Sequence, residues 1–83
     1  MASFREQVSA AMYEVVAAAT NTPVEKLTDS TEIIADLGAK SANLVRIISV
    51  LEEQFDLEIP FMQFRRKKSI GEAIDYVVQL GEA

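Results

Sequence analysis

Apolar side chains recur at intervals of three and four in separate stretches of this chain, and that spacing decides what it can fold into. Phe4, Val8, Ala11, Met12, Val15 and Val16 form the first stripe, the pattern of a helix burying one face. Ser3 precedes it as a cap, and Glu6 three residues on completes a capping box. Thr20-Asn21-Thr22-Pro23 ends it, because proline cannot continue a helix. A second helix is expected from about Ser41 to Phe55, with Leu44, Val45, Ile47, Ile48, Leu51 and Phe55 as its stripe. A short third helix beginning at Pro60 carries Phe61, Met62 and Phe64. Ser69 and Glu72 open the last one, in which Ile70, Ala73, Ile74, Val77 and Val78 face inward and Gly81 serves as C-terminal cap. The expected fold is all-α, a small up-and-down four-helix bundle of three main helices and one short one.

The connections are uneven. Thr22-Pro23-Val24-Glu25 predicts a short turn with a threonine cap and proline at the first helical position. Residues 28–40 hold no helical period, although Leu27, Ile33, Ile34 and Leu37 supply apolar anchors. A loop that long in a small domain is usually functional. With 83 residues the chain is expected to be a single domain over 1–83, burying about 60% of its unfolded surface and therefore of modest stability.

Two absences exclude most chemistry. The chain has no histidine and no cysteine, so the usual general base, thiol nucleophile and commonest metal ligand are missing. Glycines occur only at 38, 71 and 81, too few for a glycine-rich phosphate loop. Neither an enzyme nor a metal site is expected. The longest charge-free stretch, Val15 to Val24, falls short of the ~20 apolar residues of a membrane span, and Met1-Ala2-Ser3-Phe4-Arg5-Glu6 does not read as a signal peptide. A cytoplasmic protein without stable membrane insertion is expected.

Ser41 stands where the loop ending in Gly38-Ala39-Lys40 meets the second stripe. One reading is an N-cap, worth about 0.5–2 kcal/mol. The other is an exposed hydroxyl at the positive end of a helix, where an attached phosphodiester gains about 0.3–1 kcal/mol. The surroundings bear on the choice. Asp36-Leu37-Gly38-Ala39-Lys40-Ser41, then Leu44-Val45, then Leu51-Glu52-Glu53-Gln54-Phe55-Asp56-Leu57-Glu58-Ile59-Pro60, resembles the acyl carrier proteins of type II fatty-acid and polyketide synthesis. The resemblance continues through Ile70-Gly71-Glu72-Ala73-Ile74-Asp75-Tyr76-Val77 and needs no gap from residue 31 onward.

That resemblance implies that Ser41 is esterified with 4′-phosphopantetheine from coenzyme A by a phosphopantetheinyl transferase. The arm's thiol then holds an acyl thioester for an acyl-loading ligase or synthase and for acyl-transfer enzymes. In such carriers cargo can also lie between the helices. The family's usual Asp-Ser-Leu reads Lys40-Ser41-Ala42 here, at positions that transferases and partners commonly contact. Charge departs too. Residues 36–70 hold six cations against five anions, while the remainder holds two against eight, within a net charge of −5.

Lys40, Asn43 and Arg46, spaced by threes, are expected on one exposed face beside Ser41. With Ala42, Val45, Arg65 and Arg66 they make the candidate partner-recognition set. The run Arg65-Arg66-Lys67-Lys68 reads as a basic elbow contacting a partner enzyme. The net negative charge and the lack of an aromatic platform argue against nucleic acid. The expected protein is a monomeric, specialised acyl carrier. Two alternatives stand behind it: an aminoacyl or peptidyl carrier, faintly suggested by Phe64-Arg65-Arg66-Lys67, and a carrier-like interaction module that is never modified.

Overall fold

The computed structural model describes all 83 residues. Four α-helices follow one another: α1 Phe4–Thr20, α2 Ser41–Phe55, α3 Phe61–Arg65 and α4 Ile70–Glu82, with a 3₁₀ turn over Val24–Lys26. α1 packs along both α2 and α4, and α3 packs on α2. The all-α bundle of three main helices and one short one is the fold expected from the spacing of apolar residues.

The caps of the outer helices follow from local chemistry. The Ser3 hydroxyl accepts the Glu6 N–H, and the Glu6 carboxylate accepts the Ser3 N–H. The backbone bond first, then the hydroxyl, hold the Glu6 carboxyl below its usual range. The Ser69 hydroxyl accepts the Glu72 N–H at 3.2 Å, whereas the Glu72 carboxylate turns to Lys68 N–H and the Ser69 hydroxyl, so that box closes one residue early. Three expected boundaries move. Pro23 and Pro60 precede their helical turns as caps, and the Thr22 hydroxyl is engaged with Thr20. Gly81 lies inside α4 and does not cap it. A Cβ there would run into the Phe4 ring, which itself stacks edge-on against Phe55 at 5.7 Å between centroids.

The core combines Val8, Met12 and Val16 of α1, Leu44, Ile47 and Leu51 of α2, Phe64 of α3, and Ile70, Ile74 and Val77 of α4. Leu27, Ile33 and Ala39 join them from the connecting segment. Two expected core positions do not. Ile34 and Val45 are 41% and 52% exposed. Residues 33–37 form a turn closed by the Asp36 N–H on Glu32 C=O and the Gly38 N–H on Ile34 C=O, and with Ile33 on the core side of that turn Ile34 is left outward. Val45 lies outside the arc spanned by Leu44, Ile47, Ile48 and Leu51, and one helix face can bury only so much.

Residues 28–40 are strapped to the start of α4 by backbone hydrogen bonds. Ile33 N–H donates to Lys68 C=O, Ile70 N–H to Thr31 C=O, and Gly71 N–H to Asp29 C=O, all at 2.9–3.0 Å. The Tyr13 hydroxyl donates to the Asp29 carboxylate, tying α1 to the same loop. Burial, then this bond and the Asp29 charge, push the Tyr13 hydroxyl up to about 12. Asn43 makes the matching tie at the other end of the loop. Its amide donates to Ala19 C=O at 3.0 Å while its carbonyl oxygen accepts the Lys40 N–H at 2.8 Å.

Three outcomes follow. Phe64, 1% exposed, fills the space beneath α3, so Phe64→Ala should cost about 3–5 kcal/mol, read as a drop in the chemical-denaturation midpoint. Asn43→Ala leaves a carbonyl and an N–H without partners and should cost about 1–3 kcal/mol, again by denaturation. The folded state holds the Tyr13 proton more tightly than the unfolded chain does. Its stabilising effect is therefore complete below pH 10 and lost as pH rises from 10 toward about 12. Thermal melts across that window should fall more steeply for the wild type than for Tyr13→Phe.

Candidate attachment serine

Short-range contacts steer the loop into α2. The Asp36 carboxylate accepts the Glu32 N–H at 2.8 Å, closing a turn. Gly38 adopts φ +68°, a left-handed conformation that glycine takes without strain, and its N–H reaches Ile34 C=O at 2.9 Å. Ala39 is buried and bonds Ile33 C=O. Lys40 is extended, with φ −106° and ψ 172°, and its carbonyl accepts the first helical bond, from Leu44. With Ala39 held in the core, Lys40 and Ser41 emerge into solvent.

Ser41 is therefore the first residue of α2, one place past the cap position that its hydroxyl had suggested. A lysine side chain cannot accept a hydrogen bond, so the N-terminus of α2 lacks the side-chain cap that Ser3 gives α1 and Ser69 gives α4. The backbone N–H groups of Ser41, Ala42 and Asn43 have no protein acceptor, and Ser41 is exposed. A free hydroxyl thus stands on a helix end whose positive partial charge is unanswered. That donor set suits a singly charged phosphodiester.

Lys40, Ala42 and Val45 are exposed around Ser41, and Val45, one turn along, shares its side of the helix; Arg46, also exposed, lies on the side facing α1, in a depression with Glu14 and Gln54. Asn43 does not belong with them. Its double hydrogen bond turns it toward α1, which overturns the expectation of an exposed Lys40–Asn43–Arg46 face. Arg65 and Arg66 are exposed but line a separate depression with Glu32, Ile34, Ala35 and Lys68. The sequence had read Ile34 as a buried anchor and so missed it as a surface neighbour of that pair, whereas Lys68 already belonged to the expected basic elbow.

No group of acidic side chains is placed to hold a metal ion, and no helix is long and apolar enough to cross a membrane. All four cavities are surface depressions, and none reaches Met12, Ile47, Leu51 or Val77 at the core centre. One of them, about 360 Å³, lies between α1 and α2 and is lined by Ala11, Val15 and Ala18 with Arg46, Val50 and Gln54.

Comparison with known proteins agrees with this arrangement. Residues 10–77 match the family described as "Phosphopantetheine attachment site". The chain is 35% identical over 63 residues to the acyl carrier protein of Helicobacter pylori (strain J99), an overlap covering 76% of this chain and 81% of that protein. It is 34% identical over 64 residues to the acyl carrier protein of Sulfurovum sp. (strain NBC37-1), covering 77% and 85%. Such proteins are carriers, not catalysts, and hold a covalently attached 4′-phosphopantetheine. The loop, the open helix end and these likenesses agree: the chain belongs to the acyl carrier protein family.

Proposed function

We propose that Ser41 bears the 4′-phosphopantetheine arm and that the protein, a cytoplasmic monomer, presents thioester-linked acyl cargo to enzymes of a fatty-acid-like, polyketide or other specialised pathway. The observation that carries this reading is the exposed Ser41 hydroxyl on an uncapped helix N-terminus, at the end of Asp36-Leu37-Gly38-x-x-Ser41. Once attached, the arm supplies a terminal thiol that holds the cargo. The chain's own residues do the rest. The open N–H groups of the first turn stabilise the phosphodiester by about 0.3–1 kcal/mol. Ala39, anchored in the core, holds the serine on a rigid helix start, where a phosphopantetheinyl transferase and then the loading and transfer enzymes can reach it.

Lys40 and Ala42 replace residues that family partners usually meet. A cation where an anion is usual changes association rate and partner choice, so the partners are enzymes dedicated to this carrier. An acyl cargo is favoured over an aminoacyl one because Phe64, the aromatic residue of the basic elbow, is a core residue and not a docking one.

Incubation with coenzyme A and a broad-specificity transferase should raise the intact mass by one phosphopantetheine, and Ser41→Ala should show no gain. An unmodified wild type would instead favour an interaction module that is never loaded. An adduct surviving in Ser41→Ala would move the site elsewhere.

A further inference from the structure

The fold separates four cations that look alike in sequence. The Lys67 ammonium sits 5.0 Å from the centroid of the Tyr76 ring, so it is spent within the molecule. Arg65, Arg66 and Lys68 are exposed and share a depression with Glu32, Ile34 and Ala35. None of the three is in an ion pair; the one ion pair of the molecule joins Arg5 to Asp75. Ile34, 41% exposed, supplies a branched apolar side chain within this basic rim. The apolar stems of the arginines extend that surface while their guanidinium groups remain in water.

We propose that this depression is a docking patch for an acidic surface on a partner enzyme, with Ile34 making the apolar contact and Arg65, Arg66 and Lys68 pairing with carboxylates around it. The inference rests on the carrier reading of Ser41. Three arguments support it. Charge is locally positive: Glu32 is the only anion lining the depression against three unpaired cations. The molecule as a whole measures 30 × 27 × 19 Å, and at physiological salt exposed charges more than about 8 Å apart are largely screened. A partner therefore meets the patch and not the net charge.

The second argument is chemical. Arginine forms forked, bidentate bonds to carboxylates, and two of the three cations are arginines. Three outward cations fall short of the roughly four to eight that hold a chain on an anionic bilayer. The third is position. The Ile34 carbonyl is 2.9 Å from the Gly38 N–H, and Ser41 follows three residues later, within a reach of about 11 Å. A partner footprint of about 800 Å² is wide enough to reach from Ile34 to the attachment serine. Docking there would aim the arm at the partner's active site.

The test uses the full chain as Ser41→Ala, so that its outcome is independent of arm attachment, which intact mass reads separately. Amide chemical shifts are followed by NMR during titration with poly-L-glutamate. Shifts are expected at residues 32–35 and 65–68, with the apparent Kd rising about tenfold or more between 50 and 300 mM salt. Added Arg65→Glu, Arg66→Glu and Lys68→Glu substitutions should abolish them. Should the reversed protein lose structure, Arg65→Gln, Arg66→Gln and Lys68→Gln should weaken them about tenfold. Lys26→Glu, a single charge reversal on the 3₁₀ turn, should leave them in place, whereas any one of the three patch reversals alone should weaken them. Shifts centred elsewhere, or persisting after charge reversal, would overturn the proposal. So would tighter binding to phosphatidylserine vesicles than to poly-L-glutamate, which would make the patch a membrane contact.

Discussion

The burial of Ile33 and Ala39 in the helical core organises everything that surrounds the serine. A segment of about a dozen residues without helical structure would cost roughly 1–2 kcal/mol per residue to order, and two apolar side chains alone do not offset that. The strapping bonds to Lys68, Thr31 and Asp29 complete the task by satisfying backbone groups that would otherwise face the protein surface unpaired. Between them, the anchors and the strap turn a connection into a rigid ramp. Its last turn passes through Gly38 in a left-handed conformation and delivers α2 at a fixed height above the core.

The open end of α2 is a consequence of that ramp. α1 and α4 each begin with a serine whose hydroxyl accepts a first-turn N–H, but α2 begins after a lysine that can only donate. The arrangement leaves the helix end slightly less stable than a capped one. In return, it keeps both the Ser41 hydroxyl and the positive end of the helix available for an anionic arm. Asn43 compensates from inside by accepting the Lys40 N–H and holding α2 against the end of α1. Stability is supplied on the buried side of the first turn, and chemistry is left to the exposed side.

Charge is distributed by the same geometry. The cations of residues 36–70 do not form one field. Lys40 adjoins the serine, Arg46 lies between α1 and α2, Lys67 is drawn over Tyr76, and Arg65, Arg66 and Lys68 gather beside Ile34. Because exposed charges act over less than about 10 Å at ordinary salt, a chain of net charge −5 can still present a locally basic surface. If partners dock there as proposed, the sign of that surface, more than its area, restricts which of them fit.

Much of this was legible from residue order alone. The i, i+3/i+4 spacing of apolar side chains set the number and type of helices, and the capping residues Ser3 and Ser69 set two of their starts. The absence of histidine and cysteine pointed away from the commonest catalytic and metal-binding side chains. These are local properties, decided within a turn or two of helix, and local chemistry does not depend on the rest of the fold. The directions in which Ile34, Asn43, Val45 and Lys67 point, and the placing of Gly81 against Phe4, were decided only in three dimensions. Each depends on which of two neighbours the core has room for, or on a partner distant in sequence such as Ala19 or Tyr76. Spacing along the chain shows which side chains seek burial; only the packed bundle shows which of them find it.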